Sequence, residues 1–400
     1  MMEKKLPEGW EIVKLGDYST IFNGKTPSKN QQRKKGHPIL KIKDINENGC
    51  FIGKFDSFVD DEFFEKNNAK CLKNGDTLIL NAAHNSEYVG SKKAYISEFW
   101  DNIIPTGEWL IIRSNSELLD NRFKHFLLTL NSFKVVIKSI VKGIHLYPND
   151  MKILKIPLPP LETQRKIVAI LEKADEAKRL RVQADELTSQ LLQSVFLEMF
   201  GDPVKNTNGW GMVKLGDLGD WTSGGTPSRT KPEHFQGNIP WFTAGELNDS
   251  YLLNSKERIT EEALEVSAAK IFPKETMLIG MYDTAAFKMG LLLHPASSNQ
   301  ACAAFILKKE EFDSLFALHL FKAMKPVFLS KRRGVRQKNL SQTIIKNFEV
   351  PLPPFSLQTE FRQIVEKVEA MRQNQKQSHQ EIDNLFNALM QKAFKGELTT

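Results

Sequence analysis

Hydrophobic and polar positions divide the chain into two kinds of segment. Short apolar runs bounded by Gly, Asn, Asp and Pro predict the strands of globular domains. The clearest of these runs are Thr77–Leu80, Trp109–Ile112, Met277–Ile279 and Ala304–Leu307. Two long stretches, about Glu162–Phe200 and Ser356–Lys395, contain neither Pro nor Gly and are followed by Gly201 and Gly396. An uninterrupted stretch that stops at glycine predicts a long helix.

The two long stretches share a heptad register. Positions seven residues apart in the first are Ile170, Ala177, Ala184 and Leu191, with Ala174, Arg181, Thr188 and Val195 as companions. Their counterparts 194 residues later are Ile364, Met371, Ser378 and Leu385, with Val368, Gln375, Ile382 and Leu389. Alternating steps of four and three are typical of a coiled coil. We therefore predict an antiparallel coiled coil whose seam contains Ile170, Ala177, Leu191, Ile364, Met371 and Leu385. The alternative is that each helix packs on its own globular domain.

The chain is also an internal repeat. The motif Gly-Trp-x-x-Val-Lys-Leu-Gly-Asp at residues 9–17 recurs at residues 209–217. The motif Gly-x-Thr-Pro-Ser at residues 24–28 recurs at residues 224–228, and Pro-Leu-Pro-Pro at residues 157–160 recurs at residues 351–354. The order is the same in both halves: a globular part, a proline-rich segment and a long helix. We infer a tandem duplication.

This order predicts an α+β protein with two tandem mixed α/β domains and approximate two-fold symmetry. We place the first domain at residues 1–156 and its helix at 157–200. The second domain takes residues 201–350, and its helix with the C-terminal tail takes 351–400. A helix of about 36 residues is roughly 54 Å long. Two similar domains on such a rod suit a partner that is itself repetitive and nearly two-fold, as duplex DNA is.

Composition narrows the class of protein. Of 400 residues, 41% are hydrophobic and 26% charged, which is usual for globular chains. Three cysteines without Cys-x-x-Cys spacing, and no apolar signal segment at the N-terminus, predict a cytoplasmic protein. The longest apolar run, Ala301–Leu307, is too short for a membrane span. The net charge of +7 is compatible with a polyanionic partner.

Motifs for catalysis are incomplete. Gly24-Lys25-Thr26 ends like a phosphate-binding loop, but Ser19 occupies the place of its leading glycine. The sequence contains no His-Glu-x-x-His zinc motif and no Gly-x-Ser-x-Gly nucleophile motif. It also lacks the glycine-rich cofactor loop with an Asn/Asp-Pro-Pro-aromatic motif that a methyltransferase needs. We predict a non-catalytic protein with no metal site and no cofactor of its own.

Basic residues crowd corresponding loops of the two copies. The loops after the Gly-x-Thr-Pro-Ser motifs carry Lys25, Lys29, Arg33, Lys34 and Lys35 in one copy, and Arg229 and Lys231 in the other. Later loops carry Lys142 in the first copy, and Lys331, Arg332, Arg333 and Arg336 in the second. Lys and Arg neutralise phosphates, and Asn, Gln and Arg can read base edges. We predict that these residues contact DNA, with Lys92, Lys93 and Tyr282 as weaker candidates. The alternative for any one lysine run is a solvated surface.

These motifs, in this order and repeated once, resemble the DNA-specificity subunit of type I restriction–modification enzymes. Two more elements carry the resemblance: the glutamines after the prolines, Gln164 and Gln358, and the closing Phe-x-Gly-Glu-Leu at residues 394–398. The resemblance implies two target recognition domains that each read one half of a split DNA sequence. It implies that the helices space the halves and recruit two methyltransferase subunits, to which restriction subunits can add. S-adenosylmethionine, ATP and magnesium would then belong to the partner subunits.

The two copies differ between their shared motifs. On the resemblance, unlike domains imply unlike half-sites and therefore an asymmetric bipartite target. Two other classes stay open on the residues alone. One is a protein–protein adaptor, and the other is a DNA-modifying enzyme with its own active site.

Overall fold

The computed structural model describes residues 6–97, 100, 102–308, 310–332 and 339–398. The chain divides into two compact units. Unit 1 comprises Met1–Arg181 with Ser378–Thr400, and unit 2 comprises Val182–Gln377. Each unit therefore contains one globular part together with a portion of each long helix.

Unit 1 is built from short strands that form three small sheets. Its strands are β1 (Glu11–Lys14), β2 (Ser19–Asn23), β3 (Gln32–Arg33), β4 (His37–Leu40), β5 (Phe58–Val59), β6 (Thr77–Leu80), β7 (Lys93–Tyr95), β8 (Ile104–Pro105), β9 (Trp109–Ser114) and β10 (Lys155–Leu158). Its helices are α1 (Leu15–Tyr18), α2 (Asp61–Asn67), α3 (Asn121–Thr129), α4 (Asn131–Ser139) and α5 (Pro148–Lys152), followed by the first part of α6 (Leu161–Phe200).

Unit 2 follows the same plan. Its strands are β11 (Gly211–Lys214), β12 (Gly219–Ser223), β13 (Ile239–Phe242), β14 (Ser250–Leu252), β15 (Glu257–Ile259), β16 (Met277–Gly280), β17 (Met289–Leu292), β18 (Ser297–Ser298), β19 (Cys302–Leu307) and β20 (Glu349–Leu352). Its helices are the last part of α6, then α7 (Glu261–Glu265), α8 (Ser314–Ser330), α9 (Gln342–Lys346) and most of α10 (Phe355–Ala393), whose last turns belong to unit 1.

Sheet topology confirms the duplication. The central sheet of unit 1 has the order β2-β9-β6-β7, and that of unit 2 has the equivalent order β12-β19-β16-β17 with β14 added at its edge. In both units the strand after the first shared motif pairs with the strand that contains the prolines. Val13 lies opposite Ile156 in unit 1, and Val213 lies opposite Val350 in unit 2.

Each central sheet is the middle layer of its unit. All four residues of β6 are buried, and alternate side chains enter different clusters. Ile79 packs in a cluster with Phe123 of α3, whereas Leu78 packs with Trp109 on the other face. A strand covered on both faces reads as a continuous apolar run, which is why the pattern of Thr77–Leu80 was recognisable.

The long helices pair antiparallel within each unit. In unit 1, Ile167 and Leu171 of α6 share a buried cluster with Met390 and Ala393 of α10. In unit 2, residues near the end of α6 share a buried cluster with residues near the start of α10; these are Leu192, Phe196, Phe361 and Val365. Early turns of one helix thus meet late turns of the other. The alternative, in which each helix packs on a globular domain, also holds in part, because the same clusters include residues of the globular parts such as Phe316.

One row of the predicted seam is displaced by one residue. Leu191, Met371 and Leu385 are 42%, 39% and 56% exposed, whereas Leu192 is 2% exposed. Ile170, Ala177 and Ile364 are only half-buried, at the margin of the contact. The buried or half-buried row contains Leu171, Lys178, Asp185 and Leu192 in α6, and Val365, Arg372, His379 and Phe386 in α10. Polar side chains occupy the middle of this row. A search for apolar residues at heptad spacing therefore selected the adjacent row, whose side chains point outward. The companion row, from Ala174 and from Val368, is buried or half-buried as predicted.

Each long helix is followed by a glycine junction, and the glycine comes directly after Phe200 in unit 2 and two residues after the equivalent Phe394 in unit 1. Gly201 and Gly396 have φ angles of +74° and +75°, which glycine adopts without strain. A Cβ on Gly201 would collide with Thr207, and a Cβ on Gly396 would collide with Pro7. Pro7 and Thr207 are equivalent positions of the repeat. In unit 2 this junction therefore lies within one continuous segment. In unit 1 it is formed by two segments, one from each end of the sequence.

Three further observations concern the whole described chain. Cys50, Cys71 and Cys302 are free thiols. Within the described ranges, no helix combines the length and apolar character required to cross a bilayer. The same ranges contain no group of three or more His, Cys, Asp or Glu side chains arranged to hold a metal ion.

Candidate nucleic-acid interface

Loops that contain motifs of the repeat lie at one edge of the central sheet in unit 1. Strands β2 and β6 end there and β9 begins there, so we call it the strand-end edge. Asn81, which follows β6, donates from Nδ2 to Oδ1 of Asn23 at 2.9 Å. The N–H of Leu146 donates to the carbonyl oxygen of Asn81 at 2.8 Å. The loop after β2, which contains Lys25, and the loop of Lys142 therefore meet at this edge.

The Gly-x-Thr-Pro-Ser loop is fixed to the edge by its backbone. The N–H of Lys25 donates to the carbonyl oxygen of Pro105 at 2.8 Å, and the N–H of Gly107 donates to Oγ1 of Thr26 at 2.9 Å. A Cβ on Gly24 would collide with the carbonyl oxygen of Pro105, so glycine is required for this close approach. The backbone is held inside while the Lys25 side chain is exposed.

Unit 2 builds the same edge with other side chains. The N–H of Gly225 donates to the carbonyl oxygen of Ser298 at 2.9 Å, and the N–H of Leu340 donates to that of Met281 at 2.8 Å. Leu340 and Leu146 are therefore equivalent, as are Met281 and Asn81. The two edges have one backbone framework and different chemistry.

A pair of lysines at the two edges escaped the sequence analysis. Lys70 donates from Nζ to the carbonyl oxygen of Asn23, and Lys270, 200 residues later, donates from Nζ to Oγ1 of Thr222 at 2.8 Å. Burial, followed by the charge of Lys25, lowers the pKa of Lys70. Both lysines lie against the end of the first strand of the central sheet. Their shared offset was a signal that comparison of the two copies could have detected.

The exposed loops after β6 and β16 present different side chains in the two units. In unit 1 the loop presents His84, Asn85 and Tyr88, with Tyr88 62% exposed. In unit 2 it presents Tyr282 and Asp283, with Tyr282 46% exposed. Tyr282 thus lies at the surface, which a residue that contacts DNA must do.

The predicted basic residues after the first Gly-x-Thr-Pro-Ser motif belong to a second, smaller sheet. Lys29 lies in a short turn before β3, Arg33 lies in β3, and Lys34 and Lys35 lie between β3 and β4, all of them exposed. Nη2 of Arg33 lies 2.5 Å from Oδ2 of Asp60. The four lysine and arginine side chains form one basic surface, and the arginine is tied to an acid within it.

The equivalent surface of unit 2 contains Arg229 and Lys231. Nη1 and Nη2 of Arg229 donate to the two carboxylate oxygens of Glu257 at 2.5 and 2.8 Å, and its guanidinium lies over the ring of Phe235 at 4.2 Å. Such a bidentate, stacked arginine stabilises the loop. Lys231 is exposed and remains available to an anion.

The later basic loops are only partly described. Lys142 is exposed, and its Nζ lies 2.7 Å from Oδ1 of Asp150. Lys331 is exposed after the end of α8, and Nε of Arg332 donates to the carbonyl oxygen of Leu329 at 3.0 Å. Arg333 and Arg336 lie outside the described residues.

The weaker candidates Lys92 and Lys93 are enclosed rather than presented to DNA. Both are 8% exposed. Nζ of Lys92 donates to the carbonyl oxygen of Ile45 at 2.8 Å, and Lys93 begins β7 with its side chain enclosed. Burial, then the charge of Lys134, lowers the pKa of Lys93 to about 7. Side chains in this environment have little access to phosphates.

Each unit carries one such surface. Two copies of one fold each carry a strand-end edge with exposed basic and polar loops, and that is the organisation of a bipartite DNA-binding protein. A family model described as the type I restriction modification DNA specificity domain matches residues 7–186 and again 207–384. The chain therefore belongs to the type I restriction–modification DNA-specificity family.

Curated relatives agree with this assignment, and solved structures share the fold. The chain is 23% identical to the type I restriction enzyme MjaVIII specificity subunit of Methanocaldococcus jannaschii, over 98% of this chain and 94% of that one. It is 26% identical to the EcoR124I/EcoR124II specificity subunit of Escherichia coli, over 54% and 56% of the two chains. A solved chain reported under "Structural basis underlying complex assembly and conformational transition of the type I R-M system" shares its fold, with a TM-score of 0.62 at 23% identity over 99% and 100% of the chains. The type I S subunit of M. genitalium also shares the fold, with a TM-score of 0.56 at 14% identity over 98% of each chain.

Proposed function

We propose that this chain reads an asymmetric bipartite DNA sequence and assembles the other subunits of a type I restriction–modification enzyme around it. Family membership makes it a DNA-recognition subunit rather than a catalytic one. The observation that carries the proposal is the twofold occurrence of the strand-end edge, with one backbone framework and unlike exposed side chains. Each unit would read one half of the target.

Unlike exposed loops support unlike half-sites. Asparagine can donate and accept towards adenine in the major groove, whereas aspartate can only accept, for example from cytosine. Unit 1 presents Asn85 and unit 2 presents Asp283 after equivalent strands. The basic side chains around them, such as Lys25 and Lys231, would supply sequence-independent phosphate contacts.

A pair of outward leucines supports two copies of a methyltransferase partner. Leu191 and Leu385 occupy equivalent positions of the two helices and are 42% and 56% exposed. Exposed apolar residues repeated at equivalent places are suited to bind two copies of the same partner surface. Restriction subunits would add to that assembly.

The chemistry would belong to these partners. S-adenosylmethionine for methyl transfer, and ATP with magnesium for restriction, would bind to the partner subunits, and this chain would contribute the choice of site. The enzyme would act in the cytoplasm on the DNA of the cell.

Methylome sequencing of cells with and without this chain tests the proposal. The expected result is one methylated motif with two unlike halves and a fixed gap, which disappears with the chain. A palindromic motif, or a methylome that does not depend on the chain, would contradict the proposal.

The two tyrosines provide a matched pair of variants. Tyr88→Ala should relax the base preference of one half-site, and Tyr282→Ala should relax that of the other, with the second half unchanged in each case. Both side chains are exposed, so stability should change by no more than about 0.5 kcal/mol. Relaxation of both halves by a single variant would argue against separate readers.

A further inference from the structure

Unit 1 contains a cavity of about 570 Å³ that takes no part in the strand-end edge. Helix α3 ends at Thr129 and α4 begins at Asn131, because Leu130 between them has non-helical angles (φ −52°, ψ 141°). This break opens a space against the last turns of α10. Apolar side chains lining the space are Leu130, Phe386, Met390 and Phe394.

The charged side chains that line the cavity are all cationic. They are Lys134, Lys178 and Lys395, and the described lining contains no Asp or Glu. Nζ of Lys178 lies 2.8 Å from Oδ1 of Asp383. Lys134 and Lys395 are exposed, and among the described residues no ion pair joins either of them to an acid. The cavity therefore carries an excess of positive charge.

Neutral donors add to this charge. The amides of Asn387 and Gln391 line the cavity, and α4 begins in its wall without a side chain capping its first turn. Free N–H groups at the start of a helix favour a negative charge. The set of ammonium groups and amide donors matches an anion that carries more than one charge and several acceptor oxygens.

The equivalent place in unit 2 is built differently. There α8 continues without a break from Ser314 to Ser330. The ring pair beside it is shared, since Phe123 packs at 5.1 Å from Phe394 in unit 1 and Phe316 packs at 4.7 Å from Phe200 in unit 2. Gln391 and Lys395 have Leu197 and Gly201 as their counterparts 194 residues earlier. The break between α3 and α4 and the polar side chains of Gln391 and Lys395 are thus features that unit 2 does not repeat.

Helix α4 connects the cavity to the strand-end edge. Lys138 follows Lys134 by one turn, and Lys142 comes three residues after the end of the helix. The nine residues of α4 cover about 13 Å at 1.5 Å per residue. That length corresponds to about four phosphates of one DNA strand, at ~3.4 Å of axis each. A row of lysines therefore runs from the cavity towards the edge that reads DNA.

We propose that the cavity is a phosphate-binding site, in which Lys134 and Lys395 hold a phosphate group beside the apolar wall of α10. The phosphate would come from the DNA backbone flanking the half-site of unit 1, or from a free nucleoside phosphate. The DNA source rests on the proposed function, and the free source does not. Unit 2 would have no equivalent site.

A double variant, Lys134→Gln with Lys395→Gln, tests the DNA source. Binding of the full chain, assembled with its methyltransferase partner, to a labelled duplex would be measured by fluorescence anisotropy over a range of salt concentrations. Because the two lysines hold one phosphate group, the variant should lose about 0.9 from the slope of log K against log salt. The matched control, Lys155→Gln with Lys166→Gln, removes the same charge from exposed positions of unit 1 outside the cavity and should keep the larger slope.

Inorganic pyrophosphate tests the free source. It should raise the thermal midpoint of the wild-type chain and of the control, but not that of the Lys134/Lys395 variant, with the DNA slope unchanged. An effect in either arm supports a phosphate site. The proposal fails if the variant equals the wild type in both arms, or if the variant loses only assembly with the partner protein, since the cavity would then bind an acidic protein segment. A wild-type chain that binds no DNA would refute the proposed function, while the pyrophosphate arm would still test the cavity.

Discussion

Oε1 of Gln164 accepts a hydrogen bond at 2.8 Å from the backbone N–H of Asp120, the residue that caps α3. The Gln164 amide also donates to the carbonyl oxygen of Pro159 at 2.8 Å. Gln358 makes the same pair of contacts in unit 2, with the N–H of Asp313 at 2.9 Å and the carbonyl oxygen of Pro353 at 2.8 Å. These glutamines tie the first turn of each long helix to the cap of a globular helix.

Replacing either glutamine should destabilise its unit. Gln164→Leu would leave the buried N–H of Asp120 and the carbonyl oxygen of Pro159 without partners, at a cost of about 1–3 kcal/mol for each buried group. Urea denaturation would measure the loss, and Gln358→Leu should behave alike. Gln183→Leu makes the same change at an exposed position of α6 and should alter stability by less than about 0.5 kcal/mol. Equal stability of all three variants would refute the role of the buried amides.

Adjacent leucines in α6 test the register of the helix pair. Leu192→Ala should cost about 2–5 kcal/mol because the side chain is 2% exposed, whereas Leu191→Ala should cost little because its side chain is 42% exposed. Thermal or urea unfolding of the two variants would decide between the registers. The reverse order of costs would restore the seam that the apolar pattern predicted.

The outward leucines test the number of methyltransferase subunits. Leu191→Glu and Leu385→Glu should each remove one partner copy, and the double variant should remove both, because each adds a charge to an apolar contact. Mass measurement of the assembled complex by light scattering reports the stoichiometry. Full assembly of the double variant would exclude these surfaces as the docking sites.

Acid should weaken the fold through two enclosed histidines. Burial, followed by nearby cations, lowers the pKa of His125 and of His319 from 6.5 to about 3. The unfolded chain therefore binds more protons than the folded chain between these values, so stability is complete above pH 6.5 and falls as the pH drops towards 3. Each histidine contributes a slope of up to about 1.4 kcal/mol per pH unit.

A double variant, His125→Gln with His319→Gln, should flatten this pH dependence. Urea unfolding at several pH values between 3 and 7 would show it, with His84→Gln as the exposed control. Unchanged steepness in the double variant would assign acid sensitivity to other groups.

Charge reversal after α8 tests the basic loop of unit 2. Arg332→Glu with Arg333→Glu should weaken DNA binding for all sequences and reduce its salt dependence, because arginines at a phosphate act without regard to base. Assembly with the methyltransferase subunits should not change. Gel shift with specific and random duplexes measures the effect, and unchanged affinity for both would remove these arginines from the interface.

Much of the architecture could be predicted from the sequence because it is written in repeated, local signals. The offsets of the motifs gave the duplication, and the stretch before Gly201 gave a helix whose end, Phe200, is the end observed. The register of the seam failed for a physical reason. Lys178 and Arg372 lie in the packed row because their long side chains can pair with acids such as Asp383 and Glu369, and apolar periodicity carries no information on such pairs.

The site was less accessible to sequence reasoning. Exposed lysines such as Lys25 can be recognised from turn chemistry, but the enclosure of Lys93 depends on which face of β7 meets the core. Comparison of the two copies could have selected Lys70 by its offset from Lys270, but its contact with Asn23 joins segments 47 residues apart and depends on the fold. The cavity beside α4 depends on one non-helical residue, Leu130, within a run that reads as continuous helix.

The glycine junctions have a consequence for how this polypeptide could be rearranged. The contact of Gly396 with Pro7 corresponds to the contact of Gly201 with Thr207. In unit 2 the two residues belong to one continuous segment, whereas in unit 1 they belong to segments that are far apart in the sequence. A short linker from Leu398 to Leu6, with new termini cut between Gly201 and Thr207, would yield a circular permutant in which the reading units exchange their order along the gene and each keeps its own fold. Half-site specificities would then be transferable as cassettes, whichever of them is translated first.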